Sequence, residues 1–220
     1  MTNHLLYGKV EKNVDKTQLY PTPDDIIYKL IEFVLEEKLY DFSKMPRVHD
    51  ENLWVMDAGA FDGRWGYRFC DLLCDYQKDV GSIKYDLVEL LSRKEVEERG
   101  GVIRDYGFLS SALFETDYIG NSWQKKYNIV IGNPPYGNEY KSFWKRSMEC
   151  LVDNGLIMWL LPSEYIHGAW RKEFVNPYLE YVISPHQRID FTGAGSPNRN
   201  YSFFIYNKSK LKEGYRGFIL

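Results

Sequence analysis

Leu156-Ile157-Met158-Trp159-Leu160-Leu161 is an unbroken apolar run of strand length, bounded by Gly155 and Pro162. A strand with one face in water alternates apolar and polar residues. A run with no polar residue has to be covered on both faces, as in a parallel sheet sandwiched between helices. Leu53 to Met56 (ending at Asp57), Lys84 to Leu90, Val102 to Arg104 and Tyr127 to Ile131 read as further strands. Helical stretches lie between and before them. After Pro23, residues Ile26, Ile27, Leu30, Ile31, Val34 and Leu35 recur at helical spacing, with Asp24 and Asp25 where carboxylates favour a helix start. Trp65 to Leu73 reads as a second helix. Phe143, Trp144, Ser147, Met148 and Leu151 trace another, closed by the turn signal Asn154-Gly155.

Strands alternating with helices argue for a three-layer α/β architecture with a mostly parallel, Rossmann-like sheet. The end of the chain differs. Arg188 to Phe191 and Tyr201 to Tyr206 read as strands joined only by the loop Thr192 to Asn200, which is too short for a crossover helix and implies a closing antiparallel hairpin. The expected organisation is an N-terminal arm (1–19), one domain (20–207) and a short tail (208–220), within what 220 residues allow.

The formal net charge is −3, so a basic excess of the kind that marks stand-alone nucleic-acid binders is missing, and phosphate contacts would have to come from local clusters. Cys70, Cys74 and Cys150 form neither a disulfide framework nor a zinc pattern, and the four histidines lack ligand spacing, so no metal is expected. No stretch resembles a signal peptide and no apolar run could span a bilayer. The expectation is a soluble, reduced, cytoplasmic protein with no membrane partner.

Two constellations carry chemistry. In the first, Val55-Met56-Asp57-Ala58-Gly59-Ala60-Phe61-Asp62-Gly63 runs from a strand into a D-x-G-x-x-x-G turn, where glycines let the backbone bend sharply and approach a ligand. It is not the dinucleotide fingerprint, because the first position is Asp57 and the spacing differs. About one βαβ unit later Glu89 ends the second strand, where a carboxylate can accept from both hydroxyls of a ribose. Asp105 follows the third run. Its carboxylate could accept from an adenine amino group, with Tyr106 offering an aromatic face.

The second constellation is Asn133-Pro134-Pro135-Tyr136, which halts the strand ending at Ile131-Gly132. Paired prolines lack N–H donors and fix φ, so Asn133 and the Pro134 carbonyl are held in a rigid, extended presentation. An amino group conjugated to an aromatic ring or an amide has a delocalised lone pair and is a poor nucleophile towards a sulfonium methyl. Two acceptors, the Asn133 side-chain oxygen and the Pro134 carbonyl, can bind its two N–H groups. That favours a pyramidal nitrogen and places acceptors where positive charge develops. Tyr136 would stack on a planar target taken out of a helix.

These motifs together resemble the amino-methylating DNA methyltransferases of the N6-adenine group, in the gamma-class order with cofactor motifs ahead of Asn-Pro-Pro-Tyr. Tyr20-Pro21-Thr22-Pro23 is similar to that family's upstream motif, which embraces the methionine part of the cofactor. The resemblance spans roughly 20–207. It implies a class I methyltransferase fold, S-adenosyl-L-methionine as cofactor and the N6 amino group of adenine in duplex or single-stranded DNA as target. It further implies that Tyr20, Thr22 and Pro23 embrace methionine, that Asp57, Ala58, Gly59, Phe61, Asp62 and Gly63 line methionine and ribose, that Glu89 holds the ribose hydroxyls and that Asp105 with Tyr106 holds adenine. Asn133 to Tyr136 would bind the target. Asp105-Tyr106-Gly107-Phe108-Leu109 departs from the family's acid–aromatic–leucine run by extra residues.

Gamma-class enzymes usually carry a recognition domain after the catalytic core. Here few residues follow the last expected strand, which suggests weak specificity or a partner chain that supplies recognition. Lys125-Lys126, Lys141 to Arg146, Arg171-Lys172, the loop Gly193 to Asn200 with Arg199, and Lys208, Lys210 and Lys212 are the basic candidates for phosphate contact. The same tetrapeptide serves glutamine-N5 protein methyltransferases and guanine-N2 RNA methyltransferases. A non-catalytic subunit that keeps the fold for binding alone is a further alternative.

Overall fold

The computed structural model describes residues 21–103, 107–191, 199–211 and 214–220. Tyr20, Asp105, Tyr106 and most of the loop before Arg199 lie outside the described residues. The apolar runs become the centre of a sheet. Leu53–Ala58 (β1) and Tyr127–Gly132 (β4) are buried at every position, and Leu151–Pro162 (β5) is buried from Gly155 onward. Ile83–Val88 (β2) and Leu109–Leu113 (β3) complete the parallel half, and Leu179–Ser184 (β6), Tyr201–Asn207 (β7) and Arg216–Ile219 (β8) the other half. Among the described residues these form one sheet in the order β3-β2-β1-β4-β5-β7-β6-β8. The pairs from β3 to β5 are parallel, and β7 runs antiparallel to both β5 and β6.

Helices cover the two faces. Asp24–Glu36 (α1) and Arg64–Tyr76 (α2) pack on one, where Ile27, Leu30, Ile31, Phe69 and Leu73 meet Val55, Ile129, Met158 and Phe203. The short Arg93–Glu98 (α3) follows β2 and opens with a capping box, the Ser92 side chain accepting from the Glu95 amide while Glu95 reaches back. Tyr140–Cys150 (α4) and Ala169–Phe174 (α5) lie on the opposite side, where Tyr140, Phe143 and Trp144 join Met56, Val130, Trp159 and Phe204. Alternate residues of one strand therefore enter different cores, which is why the strands carry no polar alternation.

Four expectations need correction. The third strand, expected at Val102 to Arg104, is not found at Val102 and Ile103: Val102 is 67% exposed, both lie in a connection, and β3 begins at Leu109; Arg104 lies outside the described residues. As an edge strand paired with β2 alone, Leu-Ser-Ser-Ala-Leu needs little apolar character. The hairpin partner of β7 is β6, not Arg188 to Phe191. Those residues follow Pro185 and send Ile189 and Phe191 into the core without joining the ladder. Leu151 begins β5 instead of ending the helix, and a register shift with Asn154 at φ +59° connects it to the main ladder. Residues 216–219, expected as tail, pair in parallel with β6 as an edge strand.

Candidate active site

The strand order reverses between β1 and β4, since β2 and β3 extend the sheet to one side and β4 and β5 to the other. At such a switch point the loops leaving neighbouring strands part and open a crevice at the carboxyl ends. Ala58 pairs with Val88 and Asp57 with Ile131, so the glycine turn, Glu89 and Asn133 leave three adjacent strands at about the same level. Two motifs far apart in sequence thus become neighbours.

The turn is built around carboxylates. Asp57 is fully buried, and its Oδ2 accepts from the Gly66 amide at 2.8 Å, tying the end of β1 to the first turn of α2. Its Oδ1 is buried with no hydrogen-bond partner. Burial raises the Asp57 carboxyl well above the usual carboxylate range, the Gly66 amide opposes the rise, and the charges of Asp62 and Glu89 add to it. Asp62 forms a bidentate pair with Arg64 (2.8 Å to Nε and 2.8 Å to Nη2) and accepts from the Val102 amide at 3.2 Å. Gly63 turns the chain at φ +79°, and a Cβ there would meet Leu87 Cδ1 at 2.9 Å, so only glycine fits.

Thr22 docks on the same structure. Its carbonyl accepts from Arg64 Nη1 at 2.8 Å, its hydroxyl lies 3.3 Å from Trp65 Nε1, and Pro23 follows as the N-cap of α1. Glu89 accepts from the Phe61 amide at 2.7 Å and from the Leu91 amide at 3.0 Å. Burial raises its carboxyl, and these backbone donors pull the other way. A carboxylate has about four acceptor positions, so Glu89 retains capacity beyond the loop it organises. Arg64 is paired with Asp62, and the charge of Arg99 lowers the Glu89 carboxyl, so the acids of the turn are partly balanced. The remaining acceptor capacity of Glu89 suits a ligand that brings hydroxyl donors.

The Asn133 segment leaves β4 beside this turn. Gly132 has φ +143°, and a Cβ on it would meet the Ala58 carbonyl at 3.1 Å and Asp57 Oδ1 at 3.4 Å. The strand end is thereby pressed against β1. The Tyr136 hydroxyl donates to Asn133 Oδ1, the atom expected to accept from a target amine. The Tyr136 ring is buried, with centroids 6.0 Å from Tyr165 and 5.9 Å from Tyr201. The Tyr165 hydroxyl accepts from the Gly137 amide at 2.8 Å and so holds the segment just after the motif.

The structure thus brings Thr22, Pro23, Asp57, Ala58, Gly59, Phe61, Asp62, Gly63, Glu89 and Asn133 to Tyr136 to one edge of the sheet. Gly66, Gly132, Tyr165 and Tyr201 were missed. Gly132 had a readable signal, a glycine closing a buried strand directly ahead of Asn-Pro-Pro-Tyr. Tyr165 and Tyr201 had none, because their roles depend on contacts distant in sequence. Six of the expected basic candidates are engaged internally: Lys125 pairs with Asp86 at 2.8 Å, and Lys126, Arg146, Arg171, Lys208 and Lys210 donate to the backbone carbonyls of Glu149, Ile119, His167, Leu151 and Leu179. Among the described residues no cluster of His, Cys, Asp or Glu is arranged to hold a metal, and no helix is long and apolar enough to cross a membrane.

No protein-family model matches the sequence, and no curated protein matches it. Solved structures do match in three dimensions. A protein described as a class I S-adenosylmethionine-dependent methyltransferase from Listeria monocytogenes superposes with a TM-score of 0.65 at 16% identity, over 98% of this chain and 69% of its own. The type I restriction-modification methyltransferase subunit from Streptococcus thermophilus gives 0.63 at 16% identity, over 93% of this chain and 48% of its own. A protein described as an RNA methyltransferase from Pyrococcus horikoshii gives 0.58 at 15% identity, over 89% and 91%. The chain spans about half the length of the restriction-modification subunit. Its fold is the Rossmann-like fold of class I methyltransferases.

Proposed function

We propose that the protein transfers a methyl group from S-adenosylmethionine to the N6 amino group of adenine in DNA. The observation that carries this reading is the placement of Asn133-Pro134-Pro135-Tyr136 at the end of β4, next to the carboxylate-lined turn of β1 at the switch point. The cofactor, when bound, supplies an electrophilic methyl on a sulfonium. The carboxyl-rich turn of Asp57, Asp62 and Glu89 lies beside it, and Glu89 has acceptor capacity for hydroxyls. Phe61, at φ +53°, shapes the turn and donates its amide to Glu89.

For the acceptor, Asn133 Oδ1 and the Pro134 carbonyl take the two N–H groups of the target nitrogen and turn its lone pair towards the cleft. Such acceptors act mainly on the transition state, because the charge they stabilise develops only during transfer. Asn133 Oδ1 has two lone pairs, so it can accept from the Tyr136 hydroxyl and from the amine together, and the buried Tyr136 ring has to be uncovered before it can offer a planar face. Asn133 has no basicity at neutral pH, so the proton leaves after transfer, to solvent.

Asn133→Ala is expected to lower kcat by about 10²-fold or more, while calorimetry still detects S-adenosylmethionine. Unchanged turnover would remove Asn133 from its role. A second reading, transfer to an RNA or protein amino group with the same acceptors, is favoured by the net charge of −3. Offering DNA, RNA and protein acceptors side by side separates the two.

A further inference from the structure

The basic side chains of the α4–α5 face divide into those already engaged and those presented. Lys126 donates to the Glu149 carbonyl, and Arg146 holds Ile119 and Glu149. Arg171 lies 3.9 Å from the Tyr165 ring centroid and donates to the His167 carbonyl. Lys141 and Lys145, one helical turn apart on α4, are exposed and make no ion pair among the described residues. The Lys141 ammonium lies 5.2 Å from the Trp170 ring centroid.

These lysines border an open cleft of about 750 Å³ between α4 and the α5 region, walled by Trp170, Phe174 and Tyr178 and reaching Lys208. Phe174 is 48% exposed, and its ring lies 5.9 Å from that of Trp170. Glu149, the acid on this wall, is already paired with Arg146 at 2.7 Å. The cleft is therefore locally positive on a chain whose net charge is −3. Its wall is linked to the catalytic motif through packed, buried rings and by α4, which begins four residues after Tyr136. Successive ring centroids run from Tyr136 to Tyr165 (6.0 Å), to Tyr140 (4.9 Å) and to Trp170 (6.3 Å).

Aromatic faces beside uncompensated lysines suit a nucleic-acid strand, in which phosphates take the ammonium groups and sugars or unpaired bases lie on the rings. A protein partner fits less well, because lysine is depleted from the cores of protein interfaces. We propose that this cleft is a DNA track: Lys141 and Lys145 hold phosphates beside the target nucleotide, Phe174 and Trp170 hold an unpaired neighbour, and the target passes to Asn133. This rests on the DNA reading above and adds to it a binding surface outside the methyl-transfer motifs.

The test is fluorescence anisotropy of the whole protein with labelled single-stranded and duplex DNA across a salt series. Wild type is compared with Lys141→Ala/Lys145→Ala and with Phe174→Ala. The double variant should bind about tenfold or more weakly, and its log Kd against log salt slope should fall by roughly two. Phe174→Ala should lose about fivefold or more on single strands, less on duplex, with little change in slope. Thermal melting and S-adenosylmethionine binding should match wild type in both variants, since these side chains are exposed and distant from the turn. Unchanged Kd and slope in both variants would overturn the proposal and leave the cleft to a partner such as an acidic protein. A protein that binds DNA through this cleft but methylates no DNA refutes the substrate reading alone. One that methylates DNA with both variants unaffected refutes the cleft alone.

Discussion

Asp57 illustrates how one residue at the candidate site can weaken the fold. Its carboxyl is buried with one oxygen bonded to Gly66 and the other without a partner, and its pKa is raised above the usual 3.8. Below 3.8 the carboxyl is protonated in both folded and unfolded chains. As pH rises above that value the unfolded chain releases its proton more readily, so the fold loses stability until the raised folded pKa is reached. Asp57→Asn removes this loss. Without ligand at neutral pH the variant should be more stable by about 1–3 kcal/mol, and the gain should shrink towards acid pH. Glu89 is also raised, from 4.5, so a smaller slope of the same sign should persist. The variant should bind S-adenosylmethionine about tenfold or more weakly, having lost a charged acceptor. Melting curves across pH check the first claim and calorimetry the second; a variant less stable than wild type at neutral pH would refute the argument.

At the scale of elements, α2 is held to the sheet through Gly66. Alanine there should gain about 1 kcal/mol in helix propensity. Its Cβ, however, would lie 2.7 Å from Tyr85 Cδ2 and 3.1 Å from Asp57 Cβ, both on fully buried side chains. Overpacking of this kind costs about 1–3 kcal/mol, and the shift also strains the Gly66–Asp57 hydrogen bond. The clash should win: Gly66→Ala should melt a few degrees lower, by about 2–4 °C per kcal/mol for a chain of this size. An unchanged or higher Tm would show that α2 can move.

The elements also show where the sequence could be read. β1, β4 and the main run of β5 are buried on both faces, so their composition alone marks them. β3 and β8 resisted, because edge strands need little apolar character, and Leu109–Leu113 carries two serines. Arg188 to Phe191 misled because Ile189 and Phe191 are core residues without being strand residues. The grouping of the candidate site was legible where chemistry suggests residue type: Asp57, Glu89 and Asn133 do lie at the ends of adjacent strands. It was illegible where long-range packing decides, as at Tyr165, whose hydroxyl reaches Gly137 across the strand ends.

In the whole molecule, the order β3-β2-β1-β4-β5 brings a turn at residues 59–63 and a tetrapeptide at 133–136 to one crevice. The same topology sends α4 from that crevice down one face, which lines the lysine and aromatic cleft with residues that follow the motif directly. The proposed methyl donor site, acceptor site and strand-binding surface are therefore consecutive along one edge and one face, although the chain as a whole is slightly acidic. The most direct test is to incubate the protein with methyl-labelled S-adenosylmethionine and DNA, then digest the DNA to nucleosides. The account predicts label in N6-methyl-2′-deoxyadenosine from DNA, lost with Asn133→Ala. Label appearing only in RNA or protein, or equally with Asn133→Ala, would contradict it.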